Sequence, residues 1–464
     1  MRALFILSLS LGAALPARAE PAPPSIPTDT VLASLIQQSL AARPELSRAR
    51  ATVLANEERV PQARTLPDPM LQVGIQNDGF TSIEIGRMDT SYVSVMASQT
   101  FPWPGKLGLQ GNIAELSVVE AKNGVIRQRL STEAEVRRAY LDLALARDRL
   151  ALLDQLESVW QSALILTRNV YQTGGGSQSD VLRAELEQQR LKQRRLALQA
   201  EERSRQETLN RLRGRPLSEP IQTATHLEEL PPLETLHKLF SAENALARSP
   251  ELSTARVGIA RAGKSGSLAE RAKYPDLTVG LGIMYRGQLP PMWQATVAGP
   301  VPLFSTGKQN RAIAESRAWA SAAQAQVDEL VQLLRLRSKE RETAFHALEG
   351  SVGIYRQGLL VQSKATAEST LIQYRVGKVT FASVLEANAG YLADREAELM
   401  AIASAHRILI AETEISLAPT AMPGSDGSSA GMPGSGPASM QSASATSSAG
   451  ASAPAPGGGA SSGM

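Results

Sequence analysis

The chain has 464 residues, is 43% hydrophobic but only 4% aromatic, and contains no cysteine. The missing thiols exclude disulfides, thiolate metal sites and a lipid anchor on an N-terminal cysteine. A formal net charge of +3 is too nearly balanced to support nucleic-acid binding, and so few aromatic residues favour narrow helix–helix seams of Leu, Val and Ala over one wide core.

The first segment, residues 1–19, reads as a secretory signal peptide. Arg2 supplies the positive start, residues 4–15 the apolar run, and Ala17-Arg18-Ala19 the small-residue cleavage site. The run is too short to span a bilayer. Cleavage removes Arg2 and Arg18 but no acid, so the charge falls from +3 to +1. No later apolar stretch reaches the length of a transmembrane helix, so any membrane segment further along would have to be a barrel.

From there the chain repeats itself. "ARPELSRAR" (42–50) returns as "ARSPELSTAR" (247–256), "LPDPMLQVGI" (66–75) as "YPDLTVGLGI" (274–283), and "FPWPGK" (101–106) as "VPLFSTGK" (301–308). Last, "YQTGGGSQSDVL" (171–182) returns as "YRVGKVTFASVL" (374–385). The offsets lie between 202 (Gly105 to Gly307) and 208 (Pro67 to Pro275), and the order is kept. Four ordered pairs at a near-constant offset indicate duplication. The expected organisation is a first repeat over 20–214, a connector over 215–235, a second repeat over 236–418 and a tail over 419–464.

Each repeat starts with a helix, in the second half over 236–271. A strand follows: in "DLTVGLGIMY" Leu277, Val279, Leu281, Ile283 and Tyr285 share one face, and Thr278, Gly280 and Gly282 the other. Ten alternating residues suit a tilted membrane strand. A loop at "RGQLPP" leads into a looser second run, "MWQATVAGPVPLF", ended by Pro300 and Pro302. In the first half "MLQVGIQN" and "SYVSVMASQTF" flank a loop over 78–89. Phe80, Tyr92, Tyr285 and Trp293 fall near loop ends, where an aromatic belt would sit. A small soluble antiparallel sheet would alternate in the same way.

Helical rods come next. Residues 106–171 contain no proline, and apolar residues recur at three- and four-residue steps, which predicts a helix about 100 Å long. The second half repeats the rod over 308–374. Each rod breaks at a Tyr-x-x-Gly turn and returns, over 180–213 and 383–417. Gly174 and Gly377 can take the left-handed conformation that ends a helix. Ser383 and Glu386 form an expected capping box, with Ser179 or Asp180 capping the first-half partner.

Residues 419–464 are Ser, Ala, Gly and Pro with almost no charge, the composition of a disordered tail. Met422, Met432, Met440 and Met464 dot it. Thioethers suit soft monovalent copper or silver, although spacing this wide is equally a matter of composition.

The expected fold is mainly α with a β-barrel part: a duplicated strand hairpin plus long helical hairpin. Four strands leave two open edges, which a bilayer does not tolerate. A homotrimer supplies a 12-stranded barrel without edges and six helical hairpins to wall a hollow α-helical barrel. The order strand–loop–strand–"FPWPGK"–long helix–"YxxG"–"VL" resembles the TolC-like outer-membrane efflux family over about residues 30–418. "FPWPGKLGL" is most similar to its heavy-metal (CusC/CzcC-like) branch.

That resemblance implies a trimeric exit duct in the bacterial outer membrane, in contact with outer-membrane lipid and with its helical part in the periplasm. It also implies a periplasmic adaptor (membrane fusion) protein and an inner-membrane, proton-driven RND-type pump as partners. Adaptor docking is implied for Tyr171, Gly174, Val181, Leu182, Tyr374, Gly377, Val384 and Leu385, all of which plain helix termination would also explain. Family members narrow the inner mouth with acidic rings after the second tip, usually with two acids. Here Ser383 holds the first position, so Glu386 is the candidate gate residue, with Asp180 and Glu185 as contributors from the first tip. Three carboxylates in a ring attract cations and repel one another, so a proton or cation would favour closure.

Nothing points to catalysis, a cofactor or a metal site. His226, His237, His346 and His406 show no ligand spacing, and "TGGGSQSD" is not followed by Gly-Lys-Ser/Thr. Glu57-Glu58 and Glu201-Glu202 lie on Arg-rich helices and read as solvated faces. The competing readings are a periplasmic adaptor, which normally has one such hairpin, and a soluble coiled-coil scaffold, which leaves the strands no membrane to face.

Overall fold

The computed structural model describes residues 29–223 and 226–420, which belong to one unit. The expected signal segment and the tail beyond residue 420 lie outside them.

The first repeat runs α1 (Thr30–Ala42), α2 (Pro44–Arg64), β1 (Met70–Gln76), β2 (Tyr92–Phe101), α3 (Lys106–Gln172) and α4 (Gln178–Leu212). The second runs α5 (Ala242–Arg248), α6 (Pro250–Arg271), β3 (Leu277–Arg286), β4 (Leu289–Ala298), α7 (Gln309–Ile354), α8 (Leu360–Arg375) and α9 (Phe381–Glu414). Helix α3 has 67 residues, hence a length of about 100 Å. The strands form a single antiparallel sheet in the order β1-β2-β3-β4. All helices leave one end of this sheet, and the loops over 77–91 and 287–288 close the other.

Three expectations are corrected. The helix expected over 236–271 is one 3-10 turn, His237–Leu239, followed by α5 and α6, with the break at Ser249-Pro250. Proline excludes its predecessor from helical geometry, and Ser249 instead caps α6 by accepting the Leu252 N–H at 3.2 Å. The α1–α2 break at Arg43-Pro44 is its first-half counterpart. The second rod is not uniform, because Tyr355–Leu359 forms a π turn between α7 and α8. Pro290 and Pro291 lie inside β4 rather than in a loop, which an edge strand allows. β4 therefore starts at Leu289, and Trp293 sits within the strand opposite Ile283 instead of at a loop end.

The largest apolar core runs along the seam of α3, α4, α7, α8 and α9, from Leu153 and Trp160 to Phe345, Val384 and Leu409. Guanidinium groups secure the far end of α9. Its last carbonyls have no helical partners. Arg127 donates to Glu414 O at 2.9 Å, Arg337 to Leu417 O at 3.1 Å, and Arg341 to Ser416 O. Arg341 is almost fully buried and is also paired with the buried Glu412 at 3.0 Å. Between them these bonds hold Ile415 at a left-handed φ of 56°. Glu201 and Glu202 are not free solvated acids: Arg149 and Arg147 reach them across the α3–α4 seam at 3.2 and 2.9 Å.

His406 of α9 is buried, with its Nε2 unbonded among the described residues. Burial pushes its pKa down to about 4, against about 6.5 in an unfolded chain. Between these values the unfolded chain binds more protons, so stability falls as pH drops through this window. The loss approaches on the order of 3 kcal/mol per chain below pH 4. Thermal unfolding of the purified protein at pH 7 and pH 5 is expected to show this drop. His406→Leu should shrink it.

Candidate functional site

Two regions have surfaces that a folded soluble protein would cover: the sheet and the ends of the helical hairpins.

The sheet is two-faced because its strands keep period-two alternation in register. Val73 pairs with Val95, Val95 with Ile283, and Ile283 with Trp293. Ile75, Val93 and Tyr285 make the next row, and Leu71, Ala97, Leu281 and Ala295 the row on the other side. Leu71, Val73, Ile75, Leu281, Ile283, Trp293 and Val297 are each 63–76% exposed. An apolar area of this extent marks a membrane or protein interface. The opposite face has Gln72, Ser94, Ser98, Thr100, Thr278, Gln294 and Thr296, with Thr100 Oγ1 and Thr278 Oγ1 hydrogen bonded at 2.9 Å. Gly280 keeps this face open: a Cβ there would lie 2.6 Å from Thr296 Oγ1. A sheet with one face for hydrocarbon and one for water is a piece of a barrel wall. The soluble-sheet alternative fails because nothing among the described residues covers the apolar face.

At the helix-bearing end the two repeats interlock. Lys106, buried at the start of α3, donates from Nζ to Asp276 Oδ1 at 2.7 Å and to Tyr274 O at 2.8 Å. Asp276 Oδ1 also accepts the Trp103 N–H at 2.8 Å. The Trp103 and Tyr274 rings stack above, 4.9 Å apart. "FPWPGK" and "YPD" are thus the two halves of one joint where β2 meets β3.

The hairpin tips follow the same plan in both repeats but differ in burial. Gly174 and Gly377 have φ of 77° and 72°, as a left-handed stop requires. Helices α4 and α9 start after Ser177 and Thr380, which are equivalent positions. The expected capping box at Ser383 and Glu386 is therefore wrong, and so are caps at Ser179 or Asp180. Asp180 and Ser383 are instead the third helical residues, and neither true N-cap side chain accepts a helix N–H. Tyr171 and Leu182 of the first tip are exposed, and Val181 packs on the core edge. In the second tip Tyr374 and Val384 are buried and Leu385 is half-buried. Phe381 touches Tyr374 (ring centroids 5.3 Å apart) and the edge of Trp160 (6.3 Å). Burial, and then the Asp180 carboxylate, push the Tyr374 phenol up, which places the start of α4 beside the end of α8. The acids have different surroundings. Glu185 is bound by Arg168 at 2.7 Å. Glu386 is exposed and has no ion-pair or hydrogen-bond partner among the described residues.

The structure brings together one pair that spacing did not reveal: the His237 and His346 rings lie 6.5 Å apart, although 109 residues separate them in the chain. Among the described residues no group of three or more His, Cys, Asp or Glu is placed to hold a metal ion, and no helix is long and apolar enough to cross a membrane.

Residues 35–215 and 242–411 match the profile of the family described as outer membrane efflux protein. No curated protein sequence gives a significant match. Among solved structures, the outer-membrane channel OprN is similar at 18% identity and a TM-score of 0.69, over 83% of this chain and 90% of that one. CusC is similar at 15% identity and 0.68, over 83% and 92%. VceC from Vibrio cholerae is similar at 18% identity and 0.66, over 82% and 96%. At these identities the likeness is one of fold, and CusC is no closer than the others.

Proposed function

The chain belongs to the outer membrane efflux protein family, and on that premise we propose that it is the passive exit duct for heavy-metal ions delivered by an inner-membrane pump through a periplasmic adaptor. It is an outer-membrane channel of the tripartite type with a periplasmic helical domain, and it is not an enzyme. Channels of this family are trimers. The observation that carries the reading is the two-faced sheet with two open edges, one third of a barrel, attached to rods of periplasmic length. It leaves the adaptor and scaffold alternatives without support.

The cargo is argued from chemistry. "FPWPGKLGL" resembles the heavy-metal branch, and Met96, Met284 and Met292 alternate onto the polar side of the sheet, Met284 directly opposite Met292. Thioethers there would offer soft ions weak, repeated contacts. Deleting the gene is expected to raise sensitivity to copper, silver, zinc, cobalt or cadmium. Unchanged sensitivity to all five, with increased sensitivity to drugs, would refute the metal assignment and leave the duct intact. Export is proposed to remove residues 1–19 and to leave 419–464 as a tail.

The exposed Tyr171 and Leu182 are the strongest docking candidates. The buried Tyr374 and Val384 would act by shaping the second tip. Glu386 is the proposed gate residue, because an exposed carboxylate with no partner among the described residues is available to a ring of three. A divalent cation held by that ring closes the mouth. Divalent-cation block of single-channel conductance is expected for the parent protein and should be lost in Glu386→Gln. Equal block in both would remove Glu386 from the gate.

A further inference from the structure

The joint between β2 and β3 has a counterpart that the single chain cannot complete. β1 and β4 are the sheet edges, and an edge in hydrocarbon must be paired. The duplication says what each edge lacks. "VPLFSTGK" after β4 corresponds to "FPWPGK" after β2, and "LPD" before β1 corresponds to "YPD" before β3. In the first joint Lys106 is buried against Asp276. In the second, the side chains of Lys308 and Asp68 are exposed and have no ion-pair or hydrogen-bond partner among the described residues. Trp103 and Tyr274 cover one another, whereas Leu66, Leu303 and Phe304 are exposed. Opposite charges and uncovered apolar side chains therefore stand at the two ends of one interface.

In a barrel closed by three copies, β4 of one copy pairs antiparallel with β1 of the next, and we propose that Lys308 closes that seam on the neighbouring subunit's Asp68 as Lys106 closes on Asp276, which fixes its register. The register follows from the repeat. Ala97 lies opposite Leu281. Their equivalents are Val297, which precedes Val301 by the same interval as Ala97 precedes Phe101, and Val73 (offset 208, as from Pro67 to Pro275). Val297 thus faces the neighbouring subunit's Val73, and Ala298 faces the neighbouring subunit's Gln72. Both pairings keep the apolar side chains on one side of the wall. Leu303 and Phe304 then cover the neighbouring subunit's Leu66. This joint rests on the trimeric reading and goes beyond it, since a trimer could close in another register.

The cysteine-free chain allows a direct test. The double variants Val73→Cys/Val297→Cys and Gln72→Cys/Ala298→Cys can form disulfides only between copies. Within one chain these positions lie three strand spacings apart, about 14 Å, beyond disulfide reach. Oxidation of the purified full-length protein is expected to give covalently closed trimers on a denaturing gel. The shifted control Ile75→Cys/Val297→Cys should not. Preferential cross-linking of the control in an intact trimer would overturn the register, whereas a monomer before oxidation would refute the trimeric reading itself. Independently, Lys308→Glu is expected to lower the temperature at which the trimer dissociates, and adding Asp68→Lys should restore it. No restoration would overturn the ion pair.

Discussion

An arginine at Leu281 is expected to keep the protein out of the outer membrane. Leu281 is central in β3, between Ala97 of β2 and Ala295 of β4, on the apolar face. Placing arginine at the bilayer midplane on the lipid side of a barrel costs about 2–4 kcal/mol. Three copies bring this to about 6–12 kcal/mol per trimer, comparable to the stability of an entire domain. The outer-membrane fraction should lose its heat-modifiable trimer band. Gln294→Arg is the matched control: it adds the same charge to the polar face, opposite Gly282, and should leave the trimer in place. Equal loss in both variants would mean that the apolar face does not meet lipid.

Truncation of Phe381 is expected to separate assembly from efflux. The side chain is fully buried at the first residue of α9, wedged between Trp160 of α3 and Tyr374 of α8. Phe381→Ala should cost about 3–5 kcal/mol, confined to the second tip because the barrel end is remote along the helix. The trimer should still form, the tip should become susceptible to trypsin at Arg375 and Lys378, and efflux should fail. Leu182→Ala makes the comparison. This side chain is exposed on the first tip, so stability should change by less than about 0.5 kcal/mol. A fall in adaptor binding with unchanged stability would then reflect docking alone, and unchanged binding would remove Leu182 from the docking surface.

The repeats, rods and strands were legible because each rests on a short-range rule. Period-two alternation marks the two faces of β3, three- and four-residue spacing marks α3, and left-handed glycines mark both tips. The expected helix over 236–271 runs through Pro250, although proline restricts its predecessor in any context. The capping error had another cause. Thr380 and Ser383 are both competent caps, and the choice between them came from burial of Phe381 in the seam with Trp160 and Tyr374. The placement of Pro290 and Pro291 within a strand depended on β4 being an edge, which strand order alone decides. The approach of His237 to His346 depended on how the 3-10 turn His237–Leu239 folds back on α7.

What the sequence by itself determined is the local plan of this protein: two copies of a strand pair followed by a helical hairpin, with the stops and the apolar faces in place. Only the tertiary structure decided how identical motifs differ. Tyr171 and Tyr374 open the same turn, yet one is exposed and the other buried. Lys106 and Lys308 end the same motif, yet one is paired and the other has no partner among the described residues. The physical reason is that a duplicated chain gives its two halves the same residues but different neighbours, and burial and pairing belong to the neighbours.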